Sequence, residues 1–234
     1  FVSDIRFIKD KSDIAGCYHV GKHMISINTL ELDNIANDLC RISKKLNYSI
    51  SYEYMYIFSQ LITLLHELQH ARQRKQLFNF VTDFKSYIIS KIICDCFAID
   101  TDLYNKKYLL FPIEKDADFF SYSTTTNLFL DSLVNDNEFY QFLGRIFYVQ
   151  ITCGYSSDLT GCDLVKFYNE IVKDADLLWR ILQVKESLTF SEKIRFNFPL
   201  NRDDMINMRN LKNEIYNGDN EQVKKTLKKF LVIK

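Results

Sequence analysis

A chain of 234 residues and 27.7 kDa is long enough to bury a full core. Its 30 basic and 30 acidic residues balance, so no global charge draws it toward nucleic acid or an anionic membrane. No apolar run reaches the roughly 18 residues of a membrane span, and neither class of partner is expected.

Six cysteines, Cys17, Cys40, Cys94, Cys96, Cys153 and Cys162, are dispersed without a C-x-x-C pair. That usage reads as reduced thiols and a cytoplasmic setting. Residues 3–9 and 14–28 are the strand territory. Val20-Gly-Lys-His23 is the turn between Ala15–Val20 and His23–Asn28, where His23, Ile25 and Ile27 alternate with Met24, Ser26 and Asn28. From Leu30 onward helical spacing dominates. It predicts helices near 30–46, 52–77, 80–99, 113–134, 137–152, 162–186, 202–216 and 219–231, with loops around 135–137 and 153–157.

The second of these helices carries the chemistry. Tyr54, Ile57, Phe58, Leu61, Leu64, Leu65 and Leu68 form the stripe of a helix buried on one side. His66-Glu-Leu-Gln-His70 follows on the same helix. Residues four apart stand one above the other, so both imidazoles can reach one metal ion while Glu67 stands beside them, toward a water. A catalytic zinc normally has three protein ligands and one open position. The candidate for the third lies in Phe111-Pro-Ile-Glu114-Lys-Asp-Ala-Asp118, where Pro112 suits a helix start and acids crowd the first turn. Glu114 and Asp118 share a face, so Glu114 can ligate while Asp118 orients a ligand imidazole; Asp116 points elsewhere. Ordinary acids favoured by the helix dipole are the competing explanation of this segment.

H-E-L-Q-H followed by E-K-D-A-D resembles the zincin metallopeptidases of the gluzincin type, and also the ImmA/IrrE group of regulatory metallopeptidases. The resemblance covers about residues 14–125. It implies zinc held by His66, His70 and Glu114, with Glu67 as general base and Asp118 as the carboxylate behind a ligand. It also implies a substrate laid along an edge strand, where Ser26 to Asn28 could offer backbone hydrogen bonds to an extended peptide. Tyr122, His19, His23 and Tyr155 are candidate donors to the developing oxyanion.

Beyond residue 125 the stripes Phe139, Phe142, Leu143, Ile146, Phe147 and Leu164, Phe167, Tyr168, Ile171 read as core. The basic run Lys224–Lys229 beside Val223, Leu227 and Phe230 reads as a solvated helix face. The expected architecture is α+β and predominantly helical, a zincin-like domain with a small antiparallel sheet. Residues 1–125 form its metal-site region, and 126–234 a C-terminal helical region packed into the same domain. The expected function is zinc-dependent hydrolysis of peptide bonds in a protein or peptide substrate. The alternative is a regulatory or inactive metallopeptidase fold that acts as a binding module.

Overall fold

The computed structural model describes residues 2–76, 112–132, 137–152, 183, 187–196, 198 and 200–231. The helices expected over 80–99 and most of 162–186, the loop at 153–157, and Cys94, Cys96, Cys153 and Cys162 lie outside them. Among the described residues the protein is predominantly helical with one small sheet, as α+β composition requires. None of those helices is long and apolar enough to cross a membrane.

The chain divides into two compact units. One takes the described parts of Phe1–Arg72, Phe120–Tyr148 and Lys212–Lys234, the other those of Gln73–Phe119 and Val149–Leu211. The first holds the sheet, made of β1 (Asp4–Ile8), β2 (Gly16–His19) and β3 (Met24–Asn28) in the order β1-β3-β2. The expected hairpin is there: a 3₁₀ turn over Val20–Lys22 ends at His23, which takes φ 48° so the chain can reverse into β3. β2 runs antiparallel to β3, but β1 joins β3 in parallel, from Asp4 opposite Met24 to Ile8 opposite Asn28. The sheet is therefore mixed, not antiparallel throughout. Because β3 is central, the backbone of Ser26 to Asn28 lies between two neighbouring strands and is not the open edge expected from the hairpin alone. Among the described residues the edges are β1 and β2.

Asn28 ends the sheet and starts helix α1 (Thr29–Lys45). Its buried Oδ1 accepts from Leu30 N at 3.2 Å and from Asp10 N at 3.1 Å, while Nδ2 donates to the carbonyls of Asp10 and Ser12. One amide thus caps the helix and pins the loop from β1. At the other end Asn47 takes φ 61°. Its N–H donates to Lys44 O at 3.1 Å and that of Tyr48 to Ser43 O at 2.9 Å, the paired bonds that close a helix through a left-handed residue.

Helix α2 (Tyr52–Gln76) follows. Ile25 and Ile27 of β3 and Leu32 of α1 form one apolar cluster, with Tyr56, Leu64 and Leu68 of α2 packed against it. A second cluster joins Ala36 and Leu39 of α1 and Met55, Phe58 and Ile62 of α2 to Phe129 of α3 (Pro112–Ser132). Phe139, Phe142 and Leu143 of α4 (Asn137–Thr152) complete it. Its rings meet at their edges, Phe129 and Phe139 with centroids 5.0 Å apart. The one-sided stripe expected for α2 is corrected here. Ile57 is 45% exposed, whereas Met55, Ser59, Thr63, Gln69 and Gln73 are buried, because the helix is covered on more than one side. On α4, Phe139, Phe142, Leu143 and Phe147 are core as expected. Gly144 lets α7 (Asn220–Leu231) approach, since a Cβ there would stand 3.0 Å from Val223 Cγ1.

The second unit includes α5 (Phe190–Arg195) and the start of α6 (Arg202–Asn217). A reciprocal cap between Thr189 and Glu192 sets the start of α5. Asn201 and Asp204 exchange backbone-to-side-chain bonds at 3.0 and 2.9 Å, and Lys193 closes on Asp204 at 2.7 Å in a buried ion pair.

Asn28→Ala is expected to cost about 2 kcal/mol, the upper end for a lost cap, because the loop's polar groups lose their partner as well. Urea unfolding measures it, and a loss under about 0.5 kcal/mol would show that the cap and loop bonds contribute little.

Candidate metal centre

Nothing interrupts the helix between Tyr52 and Gln76, so His66 and His70 sit one turn apart on a continuous backbone. Their Nε2 atoms face each other at 3.0 Å, with the rings 84° from coplanar. Two nitrogens about 2.05 Å from a tetrahedral zinc lie roughly 3.3 Å apart, so the pair already has nearly the separation that one ion imposes. Glu114 enters on α3, whose first residue is Pro112; there the missing N–H costs no hydrogen bond. Glu114 is buried, 3% exposed. Ligand atoms of His66, His70 and Glu114 all lie within 4.8 Å of one another. Two imidazoles and a carboxylate are a donor set suited to zinc, and these residues fit the ion.

Glu67 is buried at 7% exposure and lies under the start of β2. A Cβ built on Gly16 would fall 2.9 Å from Glu67 Cγ and 3.2 Å from its Oε1. The next residue of that strand registers the same carboxylate electrostatically: desolvation first, and the Glu67 charge second, push the Cys17 thiol above its ordinary value. Sequence reasoning missed Gly16, whose spacing from the motif has no signature; only the built strand shows it.

The acidic turn of α3 is more divided in its roles than its spacing suggests. Asp116 is buried between an ion pair to Arg195 and a hydrogen bond from Gln73 Nε2 at 2.8 Å. The same Gln73 amide donates to Ile113 O at 2.9 Å. Asp118 accepts from Gln150 Nε2 at 2.6 Å, and Lys115 Nζ donates to Gln150 O at 3.1 Å. Gln73, Gln150 and Arg195, none of which belongs to a motif, therefore hold the segment that carries Glu114. Among the proposed oxyanion donors, His19 Nε2 is 2.8 Å from Ser26 Oγ, and His23 Nδ1 is 3.1 Å from Tyr18 OH. Tyr122 packs edge-on against Phe58. Tyr155 lies outside the described residues.

Compared with protein-family models, with curated proteins and with solved structures, the chain matches none of them.

Two outcomes follow from this geometry. In metal-free protein Glu67→Gln should lower the pH midpoint for alkylation of Cys17, since it removes a negative charge, while Cys40 stays unchanged. Pulsed iodoacetamide with peptide mass spectrometry resolves the two, and an unshifted Cys17 would contradict their proximity. The carboxylates of α3 should also separate by phenotype. Glu114→Ala should lose metal affinity severely and Asp118→Ala, if it has the role behind a ligand that the resemblance implies, by about 10- to 100-fold, whereas Asp116→Ala should chiefly lower stability, by about 3 kcal/mol, because it strips Arg195 of a buried partner. Zinc titration beside thermal unfolding reads both, and the reverse ranking would reassign the ligand.

Proposed function

We propose that this protein is a zinc-dependent metallopeptidase of the gluzincin kind, hydrolysing peptide bonds in a protein or peptide substrate. The observation that carries the reading is the gathering of His66, His70 and Glu114 within 4.8 Å, with a buried glutamate immediately after the first histidine. His66, His70 and Glu114 hold the ion. When bound, zinc supplies Lewis acidity, polarising the scissile carbonyl and acidifying the attacking water. Glu67 takes the proton from that water and returns it to the leaving amine. Its burial keeps competing solvent away and its helix fixes its bearing relative to the ligands one residue before and three after.

The intact Glu67 favours an enzyme over a binding module, because a site that only holds a metal has no use for a carboxylate beside the water. Purified protein is expected to carry stoichiometric zinc and to cleave mixed peptides in a chelator-sensitive manner. Glu67→Gln should keep the metal and lose turnover by about 10²- to 10⁴-fold. Elemental analysis showing no transition metal after zinc is supplied would overturn the metal site. Zinc bound stoichiometrically with a cellular phenotype unchanged in Glu67→Gln would overturn the enzyme and leave the binding module.

A further inference from the structure

Gly16 is the point at which β2 crosses α2. A Cβ there would stand 2.7 Å from Thr63 Cγ2, 2.9 Å from Glu67 Cγ and 3.2 Å from Glu67 Oε1. Non-bonded carbons pack at about 3.5–4.0 Å, so the first two distances are overlaps that something must move to relieve. Thr63 and Glu67 are both buried and one helical turn apart, and they form a ridge on which the strand backbone rests. The glycine is not there for its backbone freedom, since its φ lies outside the positive range. It is there for space.

Which group would yield to a methyl follows from what surrounds each. The strand is held by Gly16 opposite buried Ile27 and by the bond from Asn28 N to Ala15 O at 2.8 Å. The helix is held by Phe58 and Ile62 in the aromatic cluster. Thr63 is β-branched and stiff about its first torsion in a helix. The Glu67 side chain is longer and can turn about Cα–Cβ, which carries Cγ and the carboxylate away together.

We propose that Gly16 is a positioning residue for Glu67: the absent side chain gives the carboxylate its place beneath β2, and a methyl there displaces it while His66, His70 and Glu114 keep their ion. This inference rests on the metallopeptidase reading and makes the first residue of the edge strand part of how the base is set.

The test uses the full chain as wild type, Gly16→Ala, Thr63→Ser, Gly16→Ala with Thr63→Ser, and Glu67→Gln, each loaded with Co(II) as a spectroscopic probe. All should take up the same amount of cobalt. The visible spectrum of Gly16→Ala should depart from wild type toward that of Glu67→Gln, because the water beside the displaced carboxylate loses its acceptor. On a cleaved peptide kcat should fall by about 10²-fold, the scale of a misplacement near 1 Å, with KM little changed. Thr63→Ser alone should match wild type. The double variant removes the Thr63 overlap and leaves that with Glu67, so it should regain thermal stability without regaining the spectrum; it also carries the test if Gly16→Ala folds poorly. A wild-type spectrum in Gly16→Ala, or one restored in the double variant, would overturn the proposal and reduce Gly16 to a packing partner of Thr63. Wild-type protein that takes up neither cobalt nor zinc would instead overturn the metal site, and with it this inference.

Discussion

The side chains of α2 serve two apolar cores at once, and that double duty sets the terms for the rest of the first unit. Tyr56, Leu64 and Leu68 close on the sheet, while Met55, Phe58 and Ile62 close on the aromatic cluster. With two directions taken by apolar contacts, polar residues of the helix are buried too: Ser59, Thr63, Glu67 and Gln69 in the first unit, and Gln73 separately in the second. A buried polar group is costly unless it is hydrogen-bonded. Ser59 answers with its own turn, donating to Tyr56 O at 2.8 Å, and Gln73 with α3. A helix so enclosed has little freedom to roll, which is what a pair of histidines needs if both are to address one point.

Much of this was legible in residue spacing. The hairpin with its turn at His23, the start of α3 at Pro112 and the aromatic stripe of α4 all lie where their patterns place them, because each is decided by a short-range preference: a left-handed turn, a proline's fixed φ, one buried face. The stripe of α2 was read too narrowly, and at Ile57 wrongly, for the opposite reason. Periodicity reports a single apolar direction, and a helix buried from several sides has none, so Ile57 of the stripe is exposed while Ser59 outside it is buried. The central place of β3 was hidden likewise, since a strand pairing in parallel from another part of the chain leaves no local mark on it. Of the candidate site, the H-E-x-x-H spacing and Glu114 could be read directly. Gly16, Gln73 and Arg195 could not, because their roles depend on partners far along the chain.

The polar network of the second unit shows how the acidic turn is divided. A carboxylate removed from water is stabilised only by specific partners, and Arg195 and Gln73 are among those of Asp116. Asp118 is held by Gln150, whose carbonyl in turn receives Lys115. Four ionisable positions within five residues, 114, 115, 116 and 118, are thereby sorted into different surroundings along little more than one helix turn. The alanine at 117 is wholly buried.

The parallel strand β1 has a cost that the hairpin avoids. β2 and β3 meet across the short turn Val20–His23, whereas Asp4 reaches Met24 only after the rest of β1, a loop, β2 and that turn have been laid down between them. Closing a loop loses chain entropy that rises with its length, so β1 is the member of the sheet that begins at the greatest disadvantage. Asn28 offsets that disadvantage, because the amide that caps α1 also grips the backbone at Asp10 and Ser12 and so fixes the path by which β1 returns. The outer strand is tethered by a residue that belongs to its neighbour, and the helix, once capped, makes the sheet's third strand cheaper to hold.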